Sequence, residues 1–121
     1  MRNYILSITV LLLAVGCGDV DIKQGDVLYL RHKGADMPAY VYGNVASNKF
    51  MILLHGGPGG NGLEYRGGRY VEDLEKDIAV VYWDQRGQGN SRGNNYPEDL
   101  TMDLLLDDLD QLVTLLKHQY G

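Results

Sequence analysis

A chain of 121 residues, 45% hydrophobic and 22% charged, has the size and composition of one globular domain and not of a disordered segment. Its net charge of −5 disfavours a nucleic-acid backbone or an anionic membrane surface as partner. The single cysteine excludes an internal disulfide, and the widely spread His32, His55 and His118 form no metal-ligand spacing.

The chain opens with a targeting signal. Arg2 and the amino terminus give a short positive region, and residues 4–15 form an apolar stretch of signal-peptide length, too short to span a bilayer comfortably. Ala14-Val15-Gly16-Cys17 then places small residues before the cysteine. This resembles the bacterial lipobox, with Ala14 where leucine is commonest. The resemblance implies cleavage before Cys17 and lipidation of Cys17, hence an exported, membrane-anchored lipoprotein, periplasmic or on the outer surface. An ordinary secretory signal is the competing reading. Residues 1–16 are therefore assigned to the signal, 17–25 to a polar tether and 26–121 to the folded domain.

Residues 26–34 and 37–45 alternate apolar with polar, with Val27, Tyr29 and Arg31 on one face of the first. Lys33 to Asp36 supply turn residues between them, which predicts an antiparallel hairpin. Phe50 to Leu54 is a continuous apolar run, as expected of a strand buried on both faces, and residues 77–84 contain a second. Between these runs Gly67-Gly68 disfavours helix, whereas residues 70–76 suit two helical turns.

Met102, Leu105, Leu109, Leu112, Val113 and Leu116 recur at helical spacing over residues 101–121. Thr101 is the predicted N-cap and Gly121 the C-terminal stop. Asp103, Asp107 and Asp108 near the start, with Lys117 and His118 near the end, match the helix dipole. The acidic run 107–110 is expected on a solvated face. The order β-β-β-α-β-α predicts an α/β fold, with helices on the faces of a parallel sheet.

Two glycine-bearing segments follow the buried strands. Gly57-Pro58-Gly59-Gly60-Asn61-Gly62 satisfies G-x-G-x-x-G, and Asp84 falls near the position of a ribose-binding acid, so a dinucleotide cradle is one reading. Against it, Gly67-Gly68 interrupts the helix that a pyrophosphate would need, and Pro58 removes a backbone donor. No Lys-Ser/Thr pair follows, which excludes a P-loop.

The second reading takes His55-Gly56-Gly57-Pro58-Gly59 together with Asp84-Gln85-Arg86-Gly87-Gln88-Gly89-Asn90-Ser91. This pair resembles the α/β-hydrolase fold family, in its prolyl-iminopeptidase-like branch of serine hydrolases. That branch carries H-G-G-P-G after its third strand and D-Q-R-G-x-G-x-S after its fourth. The resemblance covers about residues 26–121. It implies the N-terminal part of such an enzyme, an antiparallel β1-β2 pair followed by β3-α-β4-α, in a sheet ordered 1-2-4-3-5.

The same resemblance implies roles. The N–H of Gly57 would serve the oxyanion hole, supported by Gly56, Pro58, Gly59 and a structural His55. Asp84, Arg86, Gly87 and Ser91 would fold a tight loop beside the active site. No cofactor and no metal is implied. The implied substrate is a peptide with an N-terminal proline or similar small residue, while related branches cleave amides, esters or lactones.

The serines are Ser7, Ser47 and Ser91, and none stands in G-x-S-x-G. The family order of serine, acid and histidine places the triad after the 101–121 helix. The expectation is therefore a partial chain that ends before the nucleophile strand, lacks the triad and does not itself run the covalent mechanism. Loss of that strand would leave the third strand as a sheet edge. A non-catalytic lipoprotein is the remaining reading.

Overall fold

The computed structural model describes residues 25–57, 59–94 and 96–121. The predicted signal, Cys17 and all of the tether but Gly25 lie outside the described residues. Seven regular elements follow in chain order: β1 (Asp26–His32), β2 (Ala35–Gly43), β3 (Phe50–Leu54), α1 (Tyr70–Asp77), β4 (Ala79–Trp83), a two-residue β5 (Arg92–Gly93) and α2 (Met102–Tyr120).

β1 and β2 form the predicted antiparallel hairpin, paired from Asp26↔Val41 to His32↔Ala35. The turn needs only Lys33 and Gly34, both at positive φ (43° and 79°). Positive φ at both central residues is the type I′ geometry that matches strand twist, and Gly34 adopts it without steric cost. Val27, Tyr29 and Arg31 do share a face, and that face is turned to solvent.

The sheet order is β1-β2-β4-β3. β2 pairs antiparallel with β4, and β3 runs parallel to β4 from Phe50↔Ala79 to Leu54↔Trp83. This is the α/β-hydrolase order expected from the resemblance. β4, flanked on both sides, is buried at all five positions. β3 corrects its expectation: it is half-exposed along its length and is not buried on both faces. Its apolar composition is that of a central strand, but its outer edge meets no strand among the described residues. Beside that edge, Phe50, Ile52, Val113, Leu116 and Tyr120 line an apolar groove.

α2 packs on one face of the sheet. Leu112 and Leu116 join Leu30, Met37, Ala39, Val41, Val81 and Trp83 in one buried cluster. Thr101 caps this helix, its Oγ1 accepting from the Leu104 N–H at 3.3 Å. On the opposite face, Arg66 forms a two-bond pair with the Glu75 carboxylate and stacks 3.6 Å over the Tyr42 ring. The Tyr82 hydroxyl donates to the same Glu75 at 2.9 Å, which ties α1 to β4.

The hairpin turn is also tied to α2. His32 Nε2 and Lys33 Nζ meet one oxygen of Asp107 at 2.7 and 2.6 Å. Hydrogen bonds from Lys33, and then from His32, hold the Asp107 carboxyl below its ordinary value. A lowered folded value adds stability that is present above the ordinary carboxylate range and is lost as pH falls through the lowered value. Asp107→Asn is expected to remove that step. The check is to compare denaturation midpoints of the two proteins through the acid range.

Candidate functional site

The glycine loop begins where β3 ends. His55 is buried, its Nδ1 lies 2.9 Å from the Gly56 carbonyl, and its Nε2 accepts the Gln85 N–H at 3.3 Å. A backbone N–H can only donate, so Nε2 carries the lone pair and Nδ1 carries the proton given to Gly56. Both ring nitrogens are thus committed to backbone. Pro58 lies outside the described residues.

After β4 the chain forms a second loop around Asp84, which is fully buried. One Asp84 oxygen accepts the Gly62 N–H and the other the Asn90 N–H, each at 2.8 Å. Gly62 tolerates this approach because it has no side chain: a Cβ there would lie 2.8 Å from the Trp83 nitrogen. Gln85 reaches back, its Nε2 donating to the His55 carbonyl at 2.8 Å. Gln88 does likewise, its Oε1 accepting the Gly59 N–H at 2.5 Å. The second loop therefore grips the first at His55, Gly59 and Gly62.

Arg86 anchors the second loop from beneath. Its Nε and Nη2 donate to the two oxygens of Asp108, both at 2.7 Å. Nη2 also donates to the His32 carbonyl, and Nη1 to the carbonyls of Lys33 and Asn94. These five bonds match the five N–H groups of a guanidinium. Both partners of the ion pair are fully buried. This corrects the expected solvated face: Asp107 is half-buried and paired, and Asp108 is a core residue.

Sequence reasoning missed Asp108 as the partner of Arg86, and gave Gln85 and Gln88, although within the quoted motif, no role of their own. A signal for Asp108 was present. It lies four residues before Leu112 and eight before Leu116, on the stripe that faces the sheet.

Ser91 is held by its own loop. Its Oγ donates to the Gln88 carbonyl at 2.6 Å and accepts the Gln88 N–H at 2.9 Å. Ser47 bonds to Asn44 and Lys49 at the opposite end of β3 from the glycine loop. Among the described residues no serine is hydrogen-bonded to a histidine, so no nucleophile–base pair is assembled. Gly87, at φ 72°, turns the second loop.

Between the loops and α2 lies a cavity of about 200 Å³, lined by His55, Gly57, Gln85, Arg86, Gln88, Leu100 and Leu105. It falls below the usual range of ligand sites, about 300–1,000 Å³, and suits a small group. Among the described residues no acceptor takes the Gly57 N–H.

This geometry is poor for a dinucleotide. Gly62 N–H is consumed by Asp84, and Asp84 is buried where no ribose can reach it. The loop leads into a short 3₁₀ helix (Gly62–Gly67), and the first α-helix begins only at Tyr70. Among the described residues the glycine loop does not run directly into an α-helix whose N-terminus would meet a pyrophosphate. Among the described residues no group of three or more His, Cys, Asp or Glu is placed to hold a metal.

No family model matches the chain. Curated relatives do. The chain is 31% identical over 112 residues to a proline iminopeptidase of Saccharolobus solfataricus, covering 84% of this chain and 34% of that protein. It is 46% identical over 44 residues to the Bacillus subtilis protein named probable aminopeptidase YbaC, covering 36% of this chain and 14% of the relative. The crystal structure of a proline iminopeptidase-related protein from Thermus thermophilus matches with a TM-score of 0.62 and 33% identity, over 77% of this chain and 32% of the other. A proposed epoxide hydrolase from Pseudomonas aeruginosa matches with a TM-score of 0.57 and 29% identity, over 75% of this chain and 29% of the other.

The sheet order, the paired loops and these likenesses give the chain the fold of the N-terminal part of an α/β hydrolase. Its relatives are proline iminopeptidase-related and epoxide hydrolase-like members of that family. The chain spans about a third of the length of the first curated relative (34%).

Proposed function

We propose that the chain supplies the oxyanion side of an exported serine hydrolase that removes N-terminal proline, or a similar small residue, from peptides. The observation that carries this reading is Gly57. It lines a small cavity, its N–H has no acceptor among the described residues, and the loop around it is gripped on both sides. A preorganised backbone N–H of this kind stabilises the oxyanion of a tetrahedral intermediate. The relatives' names support a peptide substrate over an ester or lactone.

In this reading Gly57 is the donor, with Gly56, Pro58 and Gly59 shaping its loop and His55 structural. Asp84, Arg86, Gly87 and Ser91 build the adjoining loop. The nucleophile, acid and histidine belong to elements that follow α2 in the complete enzyme, in the order usual for this fold. Cys17 carries the lipid that anchors the protein to a membrane after export, and several acyl chains there would make the attachment stable.

The test uses the native protein from its host, offered a proline arylamide and a fluorophosphonate serine probe. Hydrolysis and covalent labelling are both expected. Gly57→Pro, which deletes the N–H, is expected to lower kcat by about 10²–10³-fold, the usual loss for one oxyanion donor. A labelled protein that ignores N-terminal proline would sink the substrate assignment. An unlabelled one would sink acyl transfer.

A further inference from the structure

The second loop holds the glycine loop at three points, and they differ in kind. The His55 end is clamped by Gln85, with His55 itself buried. The Gly62 end is clamped by buried Asp84. Between them lie Gly56, Gly57, Gly59 and Gly60, a stretch whose unfolded freedom is the largest any residue offers. Within that stretch Gly59 sits at φ 96°, and a Cβ on it would meet nothing within 4 Å. Among the described residues, packing does not hold Gly59.

Gly56 is tied to the Tyr65 hydroxyl and the His55 ring, and at Gly59 the hold comes from one side chain. Gln88 Oε1 accepts the Gly59 N–H at 2.5 Å. The Gln88 amide also lies against Gly57, since a Cβ built there would be 3.4 Å from Oε1 and 3.8 Å from Nε2. The amide orientation is fixed by its partner, because an N–H requires the oxygen end. Gln88 is in turn seated by its own main chain, which exchanges two hydrogen bonds with the Ser91 hydroxyl.

We infer that Gln88 is the positioning residue of the oxyanion loop: by holding Gly59 and packing on Gly57 it sets where the Gly57 N–H stands. This rests on the assignment of Gly57 as the oxyanion donor, but its structural content can be tested separately. Gln88 is half-buried at the loop surface, so its removal leaves the core intact.

The experiment follows the amide signals of Gly57 and Gly59 by NMR in the ¹⁵N-labelled full chain. Gln88→Ala is expected to move the Gly59 amide proton upfield, shift Gly57 with it and speed exchange at Gly59, with the melting transition unchanged. Gln88→Glu keeps an oxygen acceptor and is expected to restore both signals toward the wild-type positions. Unmoved Gly57 and Gly59 signals in Gln88→Ala would overturn the proposal. So would a Gln88→Glu spectrum that matches Gln88→Ala. None of these signals depends on turnover, so a native protein from the host that is neither labelled nor active would refute the enzymatic role and leave the positioning result standing.

Discussion

Asp108→Ala is expected to destabilise the fold by about 3–5 kcal/mol, the usual cost of removing one partner from a buried ion pair. The stranded partner is Arg86, which is fully buried and cannot regain water without opening the loop. Three backbone carbonyls, of His32, Lys33 and Asn94, would still accept from its guanidinium, but none cancels its charge. Because these carbonyls belong to the hairpin turn and to the loop before α2, the damage should spread from Arg86 into both segments. Chemical denaturation of the two full chains checks the magnitude. A shift in the midpoint with little change in slope would show that the folded ensemble is otherwise unchanged.

Asp84→Ala is expected to cost about 2–6 kcal/mol, taking each of the two lost bonds at about 1–3 kcal/mol for a donor left unsatisfied. The two donors are the backbone N–H groups of Gly62 and Asn90, one in each loop. Asp84→Asn should lie between, since an amide keeps one oxygen and can serve one of the two donors. The order wild type, Asn, Ala in denaturation midpoint is the expected result. Equal loss in both variants would show that the charge, and not the two-donor geometry, sets the cost.

Much of the fold was legible in the sequence because each element's period agreed with its final setting. The hairpin announced itself through alternation and a Lys33-Gly34 turn, α2 through its leucine stripe and Thr101 cap, and β4 through an unbroken apolar run. β3 misled for a physical reason. An apolar run reports the burial a strand is suited to, and only the sheet order decides whether a neighbour provides it.

The loops were legible by pattern but not by partner. Glycine spacing located both segments, yet hydrogen bonds joining residues 22 to 30 positions apart follow from the placement of β3 beside β4. Asp108 was hidden for a different reason. In an acidic run, composition argues for solvent, and only the helical phase relative to Leu112 and Leu116 separates the buried carboxylate from its neighbours.

The complete use of the Arg86 donors has a bearing on what the cavity attracts. A lone guanidinium in its wall would draw in free carboxylates and repel ammonium groups. Here the positive charge is matched at 2.7 Å by Asp108 and its N–H groups are turned to fixed acceptors. To an arriving molecule that wall is electrically quiet. For the peptides proposed above, whose reacting end carries a free amine, such neutrality removes a barrier that the bare sequence, with an arginine in its most recognisable motif, would have suggested.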